Sequence, residues 1–276
     1  SSDENIAHPT WQPVGAGCES ISNGLVGWWR GESFDQNGIT LDATHRGHDG
    51  TREGNVSIQP GTVGSAYDLT SSDDAVIRVD DDDELDVERG DFSMDLWIYP
   101  RDGSRHQFVA GKDAGGNSYY LTNEPGSKLR FTQTDISGNH WILDAVIDLD
   151  SWSHVAAVRN GSSMKLFYPN GSVSTNNGLT VDETQNFAPF TIGRTNSSGC
   201  NCVFDGRIDE LRLWNRALTN AEIDSIVKGD TDRNSCSASL SIEQNYPNPV
   251  SAGGQTTANI RLGDYAPQGG AVVDLS

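Results

Sequence analysis

The chain has 276 residues and a formal net charge of −20, from 4 Lys and 15 Arg against 28 Asp and 11 Glu. A chain of this length can bury a hydrophobic core without support from a metal or a disulfide. The charge argues against a nucleic-acid backbone or an anionic membrane as a partner. No apolar run approaches the ~18 residues of a membrane helix, so we expect no membrane insertion.

The acidity has an unusual form, because Asp outnumbers Glu and Lys is nearly absent. Residues 80–84 are a continuous acidic run, which we interpret as a solvated loop. For the whole chain two interpretations stay open: a strongly hydrated surface that suits a saline habitat, and carboxylates that bind calcium. We favour the saline habitat.

Residues 1–20 are polar and predict an extended N-terminal lead. Between residues 24 and 214, short alternating segments are separated by Gly, Asn, Asp and Pro, which is typical of β-strands and turns. The clearest strand lies at 92–99, and Asn170-Gly171 indicates a hairpin turn. Further strands are predicted at 24–30, 75–79, 106–111, 118–122, 128–132, 141–147, 152–159, 164–168, 187–192 and 207–214.

Many short strands and almost no helix predict an all-β fold, a sandwich of two antiparallel sheets. One helix is predicted near the end of this region, because Thr219 and Glu222 form a capping box. We expect Gly229 to end it. Residues 237–276 carry three more strand patterns, at 238–243, 256–262 and 270–275. They are too few for a sandwich of about seven strands, so this segment is a truncated domain or is completed by something else.

The four cysteines, Cys18, Cys200, Cys202 and Cys236, suit an oxidising, exported context. A Cys18–Cys236 bond would tie together the two ends of the patterned region. A Cys200–Cys202 bond is possible but strained, and all three pairings stay open. A zinc site is less well supported, because no second Cys pair and no His pair at ligand spacing accompany them.

Five segments, in order, resemble landmarks of the laminin-G-like, concanavalin-A-like jelly rolls of bacterial proteins. They are GLVGWWRGESFD from residue 24, AYDLTSSDDAVIRV from residue 66, GDFSMDLWIYPRD from residue 90, DSWSHVAAVRNGSSMKLFYPNGSV from residue 150 and GRIDELRLWNRALTNAEI from residue 206. The resemblance covers residues 22–228 and implies a jelly-roll domain at 21–236. Members of this family serve as glycan-binding modules, adhesion modules or accessory domains of enzymes.

The segment IEQNYPNPV, which starts at Ile242, resembles the opening of the FlgD-like, secretion-tail immunoglobulin module. That module ends many surface proteins of Bacteroidetes-like and Rhodothermota-like bacteria. The resemblance implies that residues 237–276 are a partial immunoglobulin-like segment of such a surface protein.

Jelly rolls of this family often hold a structural calcium that links the first strand region to the last. The resemblance implies that its oxygen ligands here are Glu32, Asp35, Asp42 and Asp209. In the alternative interpretation, Asp209 caps backbone amides and the other three carboxylates are solvated.

Glu84, Asp86 and Glu88 fit the ExDxE pattern of family 16 glycoside hydrolases, in which alternate carboxylates share one strand face. This pattern falls where laminin-G-like domains have a loop, and it follows directly on four aspartates. We therefore interpret it as an exposed acidic turn and predict no catalytic residue.

Residues for binding a glycan are sought among aromatic and polar side chains near loop tips, because sugars favour a flat ring beside hydrogen-bonding groups. The candidates are His140 and Trp141 after a Ser-Gly-Asn turn, Tyr119 after a Gly-Gly-Asn turn, and Arg105 in another connection. An inward-facing Trp141 that opens a strand is the alternative.

Together these patterns predict a secreted or cell-surface bacterial protein that binds a polysaccharide or surface glycan, or mediates adhesion, without catalysis. The first alternative is a structural subunit of an extracellular filament or surface layer, which binds copies of itself by strand addition. The second alternative is a polysaccharide-degrading enzyme.

Overall fold

The computed structural model describes the main body of the chain and two outlying strands. The described residues are 10–14, 22–71, 74–87, 90–113, 115–168, 173–180, 186–196, 200, 202–232 and 237–241. For 10–14 and 237–241 the description covers the backbone.

The described residues form strands, one α-helix and one short 3-10 helix, Asp83–Leu85. The strands are β1 Thr10–Val14, β2 Leu25–Trp29, β3 Ile39–Thr40, β4 Gly50–Glu53, β5 Ser57–Pro60, β6 Ser65–Leu69, β7 Val76–Val79, β8 Phe92–Pro100, β9 Gln107–Lys112, β10 Tyr119–Glu124, β11 Lys128–Thr134, β12 His140–Val146, β13 Ser153–Asn160, β14 Ser163–Phe167, β15 Val173–Asn177, β16 Phe190–Ile192, β17 Gly206–Trp214 and β18 Ser237–Ser241.

These strands build two antiparallel sheets, which confirms the predicted two-sheet sandwich. Sheet I has the strand order β12-β11-β10-β9-β16-β7-β4-β3. Sheet II has the order β15-β14-β13-β8-β17-β6-β5, and β2 also pairs with β17. The predicted hairpin around residue 170 is present, because β14 pairs with β15 in antiparallel register.

The core lies between the sheets and follows the alternation of the strands. In β8, Phe92, Met94, Leu96 and Ile98 are all buried in the main hydrophobic cluster. On sheet I the same cluster takes alternate residues of β10, β11 and β12, namely Tyr119, Leu121, Leu129, Phe131, Leu143 and Ala145. Because successive side chains of a strand point to opposite faces, the residues between them lie on the outer face of sheet I.

The predicted helix, α1, spans Asn220–Asp232. Its capping box is present: the Thr219 backbone N–H donates to Glu222 Oε2 at 2.8 Å, and the Glu222 N–H donates to Thr219 Oγ1 at 3.3 Å. The helix does not end at Gly229 as expected. It continues because Asp230 is bound from sheet II, where Arg212 Nη2 donates to Asp230 Oδ1 at 2.6 Å.

The two outlying strands pair with each other. β1 and β18 form an antiparallel ladder in which Val14 lies opposite Ser237 and Thr10 opposite Ser241. A strand of the predicted N-terminal lead therefore contacts the first strand of the segment 237–276. Cys18, Cys236 and the secretion-tail resemblance at 242–250 lie outside the described residues, so the Cys18–Cys236 bond and the domain boundaries stay predictions.

Candidate functional site

The structure does not bring the four predicted calcium ligands together. Asp35 accepts the backbone N–H groups of Asn37 and Ile39, both at 2.8 Å. Asp42 is buried and accepts the backbone N–H of Trp28 at 3.0 Å together with groups of Thr44. Both carboxylates thus accept backbone N–H groups, and among the described residues no three of the four predicted ligands lie close enough together to share an ion. Calcium binding stays a prediction.

Glu32 and Asp209 do meet a common element, the loop 61–65. Asp209 Oδ2 accepts the N–H groups of Thr62 at 2.7 Å and Val63 at 2.9 Å, while Glu32 Oε2 accepts the N–H of Ser65 at 3.2 Å. Among the described residues, the buried Asp209 Oδ1 has no hydrogen-bond partner. Burial and the charge of Glu210 raise the pKa of Asp209 to about 8. A cation or a proton would therefore stabilise this carboxyl at neutral pH.

Of the predicted glycan-binding residues, Tyr119 and Trp141 face inward. Tyr119 is fully buried in the core and donates its hydroxyl hydrogen to the Leu85 carbonyl at 2.5 Å. Trp141 is partly buried and packs against the same core cluster. Tyr119 is therefore wrong as a surface ligand. The alternation of β12 places Trp141 on the inner face of sheet I, as the alternative interpretation has it.

The other two predicted residues lie at opposite ends of sheet I. His140 is exposed at the start of β12, opposite Thr134 of β11. Arg105 precedes β9, which begins opposite the far end of β10, and it is bound by Asp102 at 2.9 Å and by the Val203 carbonyl at 3.2 Å. The four predicted residues therefore do not form one site.

The outer face of sheet I carries a different set of side chains, which we call the polar face. Tyr120 lies opposite Thr132, which lies opposite Ile142, so one row crosses β10, β11 and β12. The neighbouring rows contain Arg130 with Asp144 and Thr134 with His140. The polar face thus comprises Tyr120, Arg130, Thr132, Thr134, His140, Ile142 and Asp144.

Charge on the polar face is concentrated in one ion pair. Arg130 Nε and Nη2 donate to the two oxygens of Asp144 at 2.7 and 3.0 Å. The hydrogen bonds from Arg130 hold the pKa of Asp144 below its usual value. Burial raises the pKa of Tyr120, and the nearby Asp113 adds to this effect, so the phenol stays neutral. The neutral hydroxyl group of Tyr120 thus lies on the same face as the Arg130–Asp144 ion pair.

Tyr120 was missed because the sequence offers two adjacent tyrosines and no way to see which faces the core. The register provides the signal, since Leu121 is an obvious core residue and its neighbour Tyr120 must then point outward. A strand boundary shifted by one residue would reverse this assignment.

The described part of the ExDxE segment, Glu84 to Asp86, does not form the strand face that catalysis would need, and Glu88 lies outside the described residues. Residues 83–85 are a 3-10 helix, and Leu85 between the two carboxylates is buried. Glu84 pairs with Arg46 at 2.9 Å on the surface, whereas Asp86 pairs with the buried Lys112 at 2.7 Å. Glu84 and Asp86 therefore have different partners and different surroundings.

Helix α1 packs on part of the outer face of sheet II, where Ile223 and Ile226 join a second hydrophobic cluster with Trp28 and Trp214. Beneath the helix, three carboxylates surround the guanidinium of Arg212, and each also accepts an indole N–H from a tryptophan. The pairs are Trp28 with Glu210 at 2.7 Å, Trp97 with Asp230 at 3.0 Å and Trp214 with Asp95 at 2.6 Å. These tryptophans support the helix and are not available to a ligand.

A protein-family profile described as the concanavalin A-like lectin/glucanases superfamily matches residues 70–224, more than half of the chain. The chain belongs to this superfamily. No curated protein matches it closely enough in sequence to be a relative. In the part of the chain that the structure describes, no helix is long and apolar enough to cross a membrane.

Several solved structures similar to this superfamily member are binding domains of toxins. The binding domain of Paraclostridial mosquitocidal protein 1 is 14% identical with a TM-score of 0.62, covering 74% of this chain and 52% of that one. The receptor-binding domain of botulinum neurotoxin serotype C/D is 16% identical with a TM-score of 0.58, covering 76% and 51%. This chain thus spans about half the length of these toxin domains.

Domain 4 of an extracellular arabinanase from Geobacillus stearothermophilus matches over nearly its whole length. It is 19% identical with a TM-score of 0.54, covering 73% of this chain and 97% of that domain, and was solved in complex with arabinotriose. At such low identity these likenesses show the fold alone. The concanavalin A-like superfamily is named for both lectins and glucanases, so the fold by itself does not distinguish binding from catalysis.

Proposed function

We propose that the chain is a non-enzymatic glycan-binding module and that the polar face of sheet I is its binding surface. The observation that carries this proposal is the row Tyr120–Thr132–Ile142, which adjoins the Arg130–Asp144 ion pair. The partly exposed ring of Tyr120, which packs on Phe108, and the exposed side chain of Ile142 offer an apolar surface to a sugar ring. The ion pair offers fixed donors and acceptors to its hydroxyl groups.

Two findings support a binding role over catalysis. Two of the similar solved structures are binding domains of toxins, and a third was solved with arabinotriose bound. The acidic segment that resembles a hydrolase motif begins in a 3-10 turn, and its Glu84 and Asp86 carboxylates are held by Arg46 and Lys112. A binding module of this kind fits a secreted or cell-surface protein of a bacterium, and the high acidity fits a saline habitat.

The experiment is a glycan array followed by calorimetric titration, with arabinotriose among the first soluble ligands. We expect Tyr120→Ala to lose binding. The matched control is Tyr99→Ala, which removes a half-buried tyrosine from the outer face of sheet II. Equal affinity of both variants would contradict the polar face, and no binding to any glycan would contradict the module.

The absence of catalysis is tested separately. The chain is incubated with laminarin, agarose, ulvan and carrageenan, and new reducing ends are counted. We expect none above a heat-inactivated control. Release of oligosaccharides that disappears in Asp86→Asn would restore the hydrolase interpretation.

We place the proposed calcium site beside the loop 61–65. Of the four predicted ligands, Asp209 and Glu32 are the two that contact this loop. A bound ion would neutralise the buried Asp209 and tie β17 to this loop. An ion that binds the folded state raises the melting temperature by mass action. We expect a chelator to lower Tm, and Asp209→Asn to abolish that response. Asp35→Asn should keep the response, and a Tm that is indifferent to chelator and calcium would refute the site.

A second candidate function is self-assembly by strand addition, favoured by the edge of sheet I. β12 is the last strand of its sheet, and Val146 on it is 72% exposed. An unpaired edge with exposed apolar residues can accept a strand from another molecule. The test is the molar mass in solution, measured by light scattering, of the chain with and without residues 242–276. A monomer in both cases would contradict self-assembly and leave glycan binding as the one proposed function.

A further inference from the structure

A cluster of three side chains lies where β9 begins and the chain approaches β17. A ring nitrogen of His106 and the Sγ atoms of Cys200 and Cys202 all lie within 4.8 Å of one another. Among the described His, Cys, Asp and Glu residues, this is the one group of three with such spacing. The two cysteines form a disulfide in the structure. Imidazole and thiolate are the ligands that Zn²⁺ prefers.

Backbone contacts hold His106 beside Cys202 independently of the sulfur–sulfur bond. The Phe108 N–H donates to the Cys202 carbonyl at 2.8 Å, and Phe108 forms a parallel bridge with Val203. Arg105 Nη2 donates to the Val203 carbonyl at 3.2 Å. Because His106 lies between Arg105 and Phe108 in sequence, these contacts keep it beside Cys202 whether the cysteines are oxidised or reduced.

A carboxylate orients the imidazole. His106 Nδ1 lies 2.8 Å from Glu124 Oε1, which also accepts the Thr122 hydroxyl hydrogen at 2.8 Å. A carboxylate can only accept, so Nδ1 carries the hydrogen and Nε2 keeps its lone pair. Metal-binding histidines are commonly oriented in this way.

The cluster is accessible, and its disulfide contributes little to the stability of the fold. His106 and Cys200 are exposed, while Cys202 is buried. A disulfide that spans a single intervening residue removes little entropy from the unfolded chain. Its reduction therefore leaves the sandwich folded, and the negative charge of the molecule attracts cations.

We propose that reduction of the Cys200–Cys202 disulfide opens a zinc site formed by His106 Nε2, Cys200 Sγ and Cys202 Sγ, with water as the fourth ligand. A dithiol reductant supplies two electrons and two protons, so the sulfur–sulfur bond breaks, two thiols form and the reductant becomes a disulfide. Zn²⁺ then binds both sulfurs as thiolates and releases their two protons. In the reverse direction a disulfide oxidant takes two electrons from the two thiolates and becomes a dithiol, the Cys200–Cys202 bond forms again, and Zn²⁺ is released.

The experiment measures Zn²⁺ affinity of the full chain by competition with a chromophoric chelator under anaerobic conditions. The Cys18→Ser, Cys236→Ser background removes the other two cysteines. We expect one Zn²⁺ per chain after reduction with a phosphine and no comparable binding by the oxidised protein. Co²⁺ in place of Zn²⁺ should give a thiolate-to-cobalt charge-transfer band. Equal binding by both redox forms would overturn the proposal.

Variants separate the site from chelation by the two thiols alone. Cys202→Ser and His106→Ala should each lose the tight binding, and Glu124→Gln should weaken it about 10- to 100-fold. His45→Asn is the matched control, because it removes another exposed histidine, one that belongs to neither proposed site, and it should leave the Zn²⁺ affinity unchanged. An unchanged affinity in His106→Ala would contradict the site, since the histidine is its third ligand.

Discussion

Arg212 is a buried guanidinium surrounded by carboxylates. It donates to Asp95 at 3.0 Å, to Glu210 at 2.7 Å and to Asp230 at 2.6 Å. Burial lowers the pKa of Arg212, but the carboxylates outweigh this and raise it above its usual value. The residue therefore stays charged and holds sheet II against α1.

Removal of that charge should be costly, because the carboxylates would stay buried without their main partner. We expect Arg212→Ala to destabilise the fold by ~3–5 kcal/mol, as for other broken buried ion pairs. Arg207→Ala is the control on the same strand, since Arg207 is more exposed and its nearest carboxylate contact is 3.7 Å. Denaturant unfolding of both variants measures the difference, and equal losses would contradict this role.

Acid should weaken the same cluster. Burial raises the pKa of Asp95, but Arg212 and His154 outweigh burial and hold it below its usual value. A carboxyl with a depressed folded pKa contributes stability above its unfolded pKa of about 3.9 and loses it as pH falls through the folded value. We expect the unfolding free energy to fall below about pH 4.

The measurement is the slope of unfolding free energy against pH, compared between the natural chain and Asp95→Asn. The variant should have a shallower acid slope, whatever its stability at neutral pH. Identical slopes would show that Asp95 does not carry the acid response.

At the scale of elements, the capping box of α1 joins a local signal to a packing role. Thr219 and Glu222 satisfy each other's orphan backbone N–H groups at the start of the helix. Arg216 also binds Glu222 at 2.7 Å, and hydrogen bonds from Arg216 lead the effects that lower the pKa of Glu222 to about 2. The cap therefore fixes the helix to the end of β17.

We expect Thr219→Ala to cost about 1 kcal/mol of stability, because a helix N-terminal cap is lost. Ser225→Ala is the control, since it changes an exposed residue inside the same helix. Thermal unfolding measures both. A loss in Ser225→Ala as large as in Thr219→Ala would show that the cap is not responsible.

The strands with clear alternation were predictable, because each places one apolar row on the core. The predicted 92–99 corresponds to β8, and 207–214 corresponds to β17, within one residue. The short strands β3, β4 and β5 were not predicted, because two to four residues give too little pattern.

Side-chain roles were less predictable than elements. Asp35 and Asp42 were taken as metal ligands, but each is bound by nearby backbone N–H groups, which a list of carboxylates does not reveal. The sequence predicts Tyr119 as a surface ligand, but the structure buries Tyr119 and places Tyr120 on the outer face. The strand register decides which of two adjacent side chains faces solvent. Helix α1 continues beyond Gly229, where the sequence predicts its end, because Arg212 of β17 binds Asp230. Such a contact between distant residues is not visible in the local sequence.

For the whole molecule, the net charge of −20 implies strong self-repulsion in the folded state. At 0.1 M salt the screening length is about 10 Å, shorter than the dimensions of a domain. We therefore expect Tm to rise with added NaCl. Choline chloride is the control, because it screens charge equally well but its cation differs chemically from sodium. An equal rise in Tm with both salts would show that screening, and not sodium binding, is the cause. A Tm that falls with either salt would contradict the saline-habitat interpretation.

The pairing of β1 with β18 has a mechanical consequence. Thr10 and Ser241 form one end of this ladder, whereas Val14 and Ser237 form the end from which the chain continues in sequence towards the sandwich. Tension applied beyond the two strands loads the outer hydrogen bonds first, so the ladder opens rung by rung at low force. The predicted Cys18–Cys236 bond lies on the inner side and would stop the rupture there. In a pulling experiment without reductant, we expect the disulfide to carry the force and the sandwich to stay folded. With reductant, the disulfide is broken and we expect the sandwich to unfold under force.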